Sequence, residues 1–318
     1  MQPKVVALGG GHGLAATLSA LRKITVELTA IVTVADNGGS SGRLREEFHS
    51  LPPGDLRMAL AALCGDDEWG RSWAQIMQYR FTSQGSLNGH AVGNLLLTAL
   101  WDRDADPVQG LDRVGALLKV VGRVLPMAIE PLEIEAVFQT RSGLEKVRGQ
   151  KEVAVSKGIL KELQLIPTDP NPTKEGINAI AEADYITLGP GSWFSSVLPH
   201  LLVQQQLVAL QNAKAQKILI LNLDASEKHY GDELAGSSQV EHLAVLRRFA
   251  PNLNFQVVLV DESTVEHSQV MTELENLVAQ MGGRVVVADL ATSPGSKHHD
   301  SAKLFSTFGH IFNAEMLR

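Results

Sequence analysis

Short apolar runs set the rhythm of the chain. The first, KVVAL at residues 4–8, is β-branched and ends in glycines, as a strand buried on both faces does. From Gly13 the period changes, and Leu14, Leu18 and Leu21 fall on one helical face. ELTAIVTV at 27–34 returns to strand chemistry. Strand, glycine turn, helix and strand make a βαβ unit, whose right-handed crossover implies a parallel sheet covered on both faces. The same kind of run recurs at DYITL (184–188), KILILNL (217–223), FQVVLV (255–260) and RVVVADL (284–290). Helical patterns lie between them, among them SSQVEHLAVLRRF (237–249) and STVEHSQVMTELENLVAQM (263–281). The alternation predicts a doubly wound α/β fold with a mainly parallel sheet.

The middle of the chain differs. Residues 55–121 read as mostly helical, and GHAVGNLLLTALW predicts one apolar stripe of Val92, Leu95, Leu96 and Ala99. Residues 124–168 hold LEIEAVFQT, EVAV and LKELQLI, short strand-like segments that predict a small β-rich excursion from the main sheet. PTDPNPT at 167–173 is a loop leading into a helix that ends before Asp184. With no solenoid period and no low-complexity tract, residues 1–318 read as a single α/β unit.

Composition narrows the function. The 44% hydrophobic and 20% charged residues are those of an ordinary globular protein. A formal charge of -7 argues against a nucleic-acid partner, which needs a broad basic footprint, so any bound anion is small and held by local geometry. Cys64 is the single cysteine, which rules out an internal disulfide and a thiolate zinc site; in MALAALCG it reads as a small buried hydrophobe. The N-terminal apolar run is too short for a signal peptide, and no later run reaches the length of a bilayer. A reducing, cytoplasmic compartment without membrane insertion is expected.

In an open parallel sheet the ligand crevice lies outside the carboxyl ends of the strands, so the residues after each strand carry the candidate chemistry. LGGGHG follows the first. Gly9, Gly10, Gly11 and Gly13 let the backbone approach a ligand, and the helix beyond aims its free amides at the same space. The pattern G-x-G-x-x-G fails because Leu14 stands where its last glycine belongs, and no G-x-x-x-x-G-K-[ST] occurs. His12 reads as a local hydrogen-bonding residue, and a plain strand-to-helix turn is the alternative for the whole stretch. The second strand runs into VTVADNGGSSGRLR at 32–45. There Asp36, with Asn37 after it, stands where nucleotide-binding α/β proteins address a ribose or base. Gly38, Gly39 and Gly42, interleaved with Ser40 and Ser41, supply free backbone and hydroxyls, and Arg43 and Arg45 offer planar forks to a phosphate. An anion-binding loop is expected.

Three further stretches carry similar signals. In LPPGDLRMALAAL (51–63) Asp55 is placed to cap a helix, and Arg57, in its first turn, opposes the helix dipole and invites an anion. In LNGHAVGN (87–94) Asn88 or Gly89 precedes a helix, and His90 and Asn94 share a polar face one turn apart. LGPGSWFSSVLPHL (188–201) repeats the first turn: Gly189 and Gly191 flank Pro190, and Ser192, Ser195 and Ser196 open a helix, a second N-terminus suited to a ligand with two phosphates or a phosphate and a sugar. Near the C-terminus His298, His299 and Asp300 are adjacent, so their side chains diverge and suit a helix cap or a ligand rim better than a metal; no metal site is expected. H-E-x-x-H and any cysteine-histidine arrangement are absent, which removes metalloprotease and cysteine-protease readings.

ALGGGHGL, IVTVADNGGSSGRLR, PPGDLR, NGHAVGNLLL, ADYITLGPGSWFSSVLPHLL and HHDSAKL, in this order, resemble the YvcK-like gluconeogenesis factor family of bacteria, over nearly the whole chain. More distantly the chain is similar to 2-phospho-L-lactate transferase, the CofD enzyme. The resemblance implies a Rossmann-like, CofD-like fold in the cytoplasm. It also implies a bound UDP-sugar, UDP-glucose or UDP-N-acetylglucosamine, in a regulatory role in growth and cell shape on gluconeogenic carbon sources. A homodimer or larger assembly and an unidentified downstream protein partner are implied as well. It assigns Gly9 to Gly13 and Gly189 to Ser192 to the phosphates and Asp36 to Ser41 to the nucleoside, with Arg43, Asp55, Arg57, Gly89, His90 and Asn94 along the remaining wall. Two departures bear on chemistry. Asp36-Asn37 stands where the family often has two aspartates, and Asp55-Leu56-Arg57 where the transferases tend to read Asp-Leu-Asp, exchanging a Mg2+-binding carboxylate for a guanidinium that holds phosphate directly. His298 falls where relatives commonly carry arginine. A Mg2+-dependent transferase is the alternative function.

Overall fold

Each of the six apolar runs that set the rhythm becomes a strand, and four more strands accompany them. In a computed structural model describing residues 2–156, 158–223, 238–265 and 268–316, the strands are β1 (Val5–Gly9), β2 (Leu28–Val32), β3 (Arg123–Pro126), β4 (Glu133–Thr140), β5 (Gly143–Arg148), β6 (Ile159–Ile166), β7 (Tyr185–Leu188), β8 (Gln216–Ile220), β9 (Val257–Asp261) and β10 (Arg284–Ala288). Seven form one sheet in the order β10-β9-β8-β7-β1-β2-β3, and every pairing in it is parallel. Every residue of β1, β7 and β9 is buried. Since alternate side chains point to opposite faces, such strands are covered on both sides. This is the expected doubly wound α/β fold.

The helices are α1 (Gly11–Leu21), α2 (Gly39–Phe48), α3 (Pro53–Ala62), α4 (Glu68–Gln78), α5 (Val92–Asp104), α6 (Pro107–Leu118), α7 (Gln150–Ala154), α8 (Lys174–Glu182), α9 (Pro199–Leu202), α10 (Gln204–Asn212), α11 (Gln239–Phe249), α12 (Ser268–Ala279) and α13 (Ser301–Met316). Of the two long helical patterns near the C-terminus, the first is α11, with a Ser238–Glu241 capping box. The second divides into a 3-10 turn, Glu262–Thr264, and α12. Ser237, Glu266 and His267 lie outside the described residues. Among those residues no helix is long and apolar enough to cross a membrane.

From β1 the chain works outward to β3, then returns to β7 on the other side of β1 and works outward to β10. The direction therefore reverses between β1 and β7, the switch point where such sheets open a crevice. Register makes the strand ends level: Gly9 pairs with Val32, and Leu8 with Leu188. The turns after β1, β2 and β7 thus emerge side by side.

Four local expectations change. EVAV lies in α7, not a strand, because Val153 is buried while Val155 is exposed and the chain breaks at Gly149 (φ 107) after β5. β5 itself is polar and largely exposed, held by antiparallel pairing with β4 in a second sheet of order β5-β4-β6. β3 belongs to the main sheet as its edge rather than to the β-rich excursion. In α5 the buried residues are Gly93, Asn94, Leu97, Thr98 and Trp101, whereas Ala99 is exposed. The polar face that the apolar stripe was to leave in solvent is the one turned inward.

Candidate functional site

The two glycine turns at the switch point touch. A Cβ built on Gly13 would stand 2.2 Å from the Pro190 carbonyl oxygen and 3.1 Å from the Gly191 amide nitrogen, so only glycine admits this approach. A Cβ on Gly10 would meet Thr33 Cγ2 at 2.4 Å, Asp55 Oδ2 at 2.5 Å and Ser196 Oγ at 3.0 Å. The ends of β1 and β2, the start of α3 and the turn after β7 therefore converge on one point. Gly11 has φ 61, and the first intrahelical bond of α1 runs from Leu14 N to Gly10 O, leaving the preceding amides at the helix N-terminus. The Gly11 amide serves Asp55.

Residues that sequence reasoning missed hold these turns in place. His200 is completely buried; its Nε2 donates to Gly9 O (3.2 Å), and its Nδ1 accepts from Gln206 Nε2 (3.0 Å). Burial drives its pKa down to about 4, so the imidazole is neutral. Asn222, just after β8, accepts from Gly191 N (2.9 Å) and donates to Gly191 O (2.8 Å). Thr33 Oγ1 donates to Ser195 O at 3.0 Å. Thr33 and Asn222 both follow strand ends, the signal by which they were findable. His200 lies in the apolar run VLPHLL and carries no such mark.

The stretch after β2 is a helix rather than a loop. Gly38 is the N-cap of α2, and Gly42 N bonds to Gly38 O, which leaves the Gly39, Ser40 and Ser41 amides at a second N-terminus. Asp36 Oδ1 accepts from Gly38 N at 2.8 Å. Both serine side chains are buried: Ser40 Oγ lies 3.0 Å from His90 Nδ1 and accepts from Asn94 Nδ2 at 3.0 Å, and Ser41 Oγ packs against Gly54. The Ser40 hydroxyl is thus spent on α5. Desolvation, with Arg43 close by, lowers the His90 pKa.

The two arginines of this stretch and Asn37 are engaged elsewhere. Arg43 donates to Ser86 O (3.3 Å) and Asn88 O (2.7 Å), steadying the loop that holds Gly89 (φ 76). Arg45 donates to Leu132 O (2.8 Å) and faces Glu133. Asn37 Nδ2 donates to Glu152 Oε2 (3.0 Å), which ties the turn to α7. Arg45 and Asn37 therefore brace the excursion against the main sheet rather than line the crevice.

Asp55 and Arg57 make the electrostatic centre. Asp55 sits in the first turn of α3 but does not cap it; the N-cap is Pro52. Burial pushes its carboxyl up to about 7, Asp36 adds to this by repulsion, and the Gly11 amide and Arg57 oppose it. Arg57 is 3% exposed, one turn further into α3 than expected; its Nη1 donates to Gln78 Oε1, and its Nε has no partner among the described residues. Burial, and Arg80 nearby, bring its pKa down to about 10, so it stays cationic. Asn94 Oδ1 is likewise buried and unpartnered. His12 is exposed, its ring 5.9 Å from that of His298, and desolvation lowers its pKa, helped by His298 and Arg57.

The remaining candidates fall as follows. Ser192 caps a five-residue π turn, Trp193–Val197, accepting from Ser195 N (3.2 Å), so the expected second helix is broken into this turn, α9 and α10. Gly189 (φ 79) backs onto the Ile220 carbonyl. Asp300 Oδ1 caps α13 through Ala302 N and Lys303 N. His299 is turned inward toward Leu221 and Asp261, and burial lowers its pKa to about 4. Cys64 is buried, and desolvation raises its thiol to about 11, so it is inert. Among the described residues no group of three or more His, Cys, Asp or Glu forms a metal cage.

The parallel sheet with its crevice at the β1–β7 switch point places the chain among doubly wound α/β proteins, and residues 5–293 match the family described as "2-phospho-L-lactate transferase CofD". The chain is 47% identical over 311 residues to a Mycobacterium tuberculosis protein named "Putative gluconeogenesis factor", covering 96% of this chain and 89% of that one. It is 33% identical over 311 residues to the "Gluconeogenesis factor" of Listeria innocua, covering 95% and 94%. The crystal structure of a UPF0052 family member from Bacillus halodurans superposes with a TM-score of 0.83 at 31% identity, covering 96% of this chain and 98% of that one. The chain belongs to the CofD family, among its YvcK-like gluconeogenesis factors.

Proposed function

We infer that the crevice at the β1–β7 switch point binds a nucleotide-sugar of the UDP-glucose or UDP-N-acetylglucosamine kind, and that the protein acts through this bound ligand as a regulator. The observation that carries the reading is the contact of Gly13 with the Pro190–Gly191 backbone beside the N-termini of α1 and α2. Two helix N-termini and a buried guanidinium with an unpartnered Nε offer a diphosphate what it requires, in a protein whose overall charge is negative. Asp36, shortly beyond β2, supports the reading as the residue that would address the ribose or base.

Calorimetric titration with UDP-N-acetylglucosamine and UDP-glucose tests this; absence of heat at millimolar ligand removes it. Arg57→Ala is expected to weaken binding by about 1.5–3 kcal/mol, the worth of a charged hydrogen bond. Unchanged affinity in that variant would take Arg57 out of the wall.

One observation favours a second reading, a transferase of the kind named by the family. Asp36 and Asp55 are close enough for one to raise the pKa of the other, and Mg2+ is commonly held by one or two carboxylates together with substrate phosphates. These two residues would hold the ion, which would supply charge neutralisation at a departing phosphate. Arg57, two positions after Asp55, favours direct phosphate binding instead. Mg2+-dependent release of a nucleoside phosphate in the presence of an acceptor would establish the transferase; affinity unaffected by chelator and no turnover would establish the binder.

A further inference from the structure

Arg57 is the most deeply buried arginine among the described residues, and it lacks the partner that the more open ones have. Arg22, Arg113, Arg123 and Arg148 each meet a carboxylate, that of Asp66, Asp104, Asp112 and Glu133 in turn. Arg57 makes no ion pair with an acid among the described residues. Asp55, two positions earlier, has its own carboxyl pushed up to about 7 and offers only part of a charge. A guanidinium taken out of water without a counter-charge is costly to the fold, and an anionic ligand would supply what is missing.

What holds Arg57 is neutral. Its Nη1 donates to Gln78 Oε1. Its stem is gripped as well: a Cβ built on Gly93 would stand 2.8 Å from Arg57 Cγ, 2.7 Å from Met77 Cε and 2.9 Å from Met77 O, so glycine in the first turn of α5 admits the side chain between α4 and α5. Gln78, the last residue of α4, is exposed but fixed by the chain on either side of it. Met77 is buried, and beyond Gln78 the backbone leaves the helix at Tyr79 (ψ 133) to run against the entry to α5. Val92 N bonds there to Tyr79 O (2.9 Å), Phe81 N to His90 O (3.0 Å) and Gly89 N to Phe81 O (2.8 Å). Arg80 Nη1 donates to Gly89 O (2.9 Å) in the same strap. The end of α4 is thereby locked to the crevice wall.

An amide and a carboxylate of the same length hold a guanidinium in much the same place, but they leave different things for a ligand. The carboxylate neutralises the charge, whereas the amide leaves it whole. With its Nε unpartnered, Arg57 is oriented in advance and still able to bind an anion. We propose that Gln78 is a positioning residue of the crevice, a neutral clamp that fixes Arg57 for a ligand phosphate and leaves the positive charge to that phosphate. The proposal rests on the reading of the crevice as a diphosphate site.

Calorimetric titration of the full chain with UDP-glucose and, as a probe free of base and sugar, with inorganic pyrophosphate tests it. Gln78→Glu keeps the length of the clamp and adds a charge; it is expected to weaken both ligands at least about 10-fold while the urea midpoint stays level or rises. Gln78→Ala frees the guanidinium and is expected to weaken them about 3- to 10-fold, the cost of immobilising one long side chain on binding. In an Arg57→Ala background the same Gln78→Ala change should cost less than about 2-fold, because the clamp acts only through Arg57. Parent affinity in Gln78→Glu, or an equal loss from Gln78→Ala with and without Arg57, overturns the clamp while the diphosphate reading stands. Binding of pyrophosphate without UDP-glucose overturns the nucleotide-sugar reading and leaves the same variants to decide the clamp; no heat from either ligand at millimolar concentration overturns both.

Discussion

Asp55 shows what a single residue can report about the crevice. Its carboxyl lies against Gly10 with Asp36 nearby, and its pKa is about 7 where an ordinary aspartate stands at 3.8. The folded protein therefore binds a proton that the unfolded chain has released, so this residue makes stability fall as pH rises from about 4 to 7 and leaves it level above. Asp55→Asn removes the repulsion and keeps an acceptor for the Gly11 amide. It is expected to stabilise the protein by about 2–3 kcal/mol at pH 8 and by little at pH 4.5, measured by urea unfolding at the two pH values. Equal effects at both would show that Asp55 ionises normally. Sequence identified Asp55 as a wall residue but as a helix cap, because an acid after Pro-Pro-Gly has the pattern of one; its role follows from the proximity of Gly10 and Asp36, which lie far away in the chain.

At the scale of elements, α2 is joined to α5 by three buried polar side chains in series, Asn94 to Ser40 to His90. Each depends on the others for its partner, so the costs of removal should not add. Ser40→Ala and Asn94→Ala are each expected to cost about 1–3 kcal/mol, and the double variant about 0.5–2 kcal/mol less than their total, in a double-mutant cycle read by denaturant unfolding. Additive costs would mean that the chain of bonds is not made. The same trio explains a misreading. The run NLLLTALW was legible as a helix, yet its apolar stripe pointed to the wrong face, because hydrophobic periodicity assumes that polar groups seek water. Here Asn94 and Thr98 face inward beside His90 and Arg57, and Ala99 is left outside. A local violation of patterning of this kind is expected where a site, not a core, sets the face. The GGSSGRLR run reads as a loop because its glycines outweigh any helix propensity; α2 begins there with the Ser40 hydroxyl held by Asn94 and His90 and the Ser41 hydroxyl packed against Gly54.

At the scale of the molecule, the parallel sheet and its switch point were legible because buried strands leave compact β-branched runs, whereas β5 was not, being an exposed strand defined by its partner. His200 was invisible for a related reason: its place depends on a carbonyl 191 residues earlier in the chain. That burial has a consequence for the whole protein in acid. His200 and His299 both titrate near 4 when folded, against 6.5 for a free histidine. Between those values the unfolded chain takes up protons that the folded protein refuses, so each histidine makes stability rise with pH from about 4 to 6.5, by up to about 3 kcal/mol. Asp55 runs in the opposite sense over the same interval, with a similar slope. Of these three groups, two against one leave a net rise of about 3 kcal/mol, to which the lowered His12 and His90 add in the same sense, followed by a shallow fall from 6.5 to 7 due to Asp55. The exposed ion-paired carboxylates with lowered values, such as Asp66 and Glu182, lose their contributions only below about pH 4 and do not disturb this window. Stability measured by urea unfolding is therefore expected to peak near pH 6.5. In His200→Gln the acid limb should lose about 3 kcal/mol, nearly all of the net rise these three groups give, while the shallow fall above 6.5 persists; an acid limb of unchanged steepness would mean that His200 is protonated in the folded protein and does not hold Gly9 as a neutral donor.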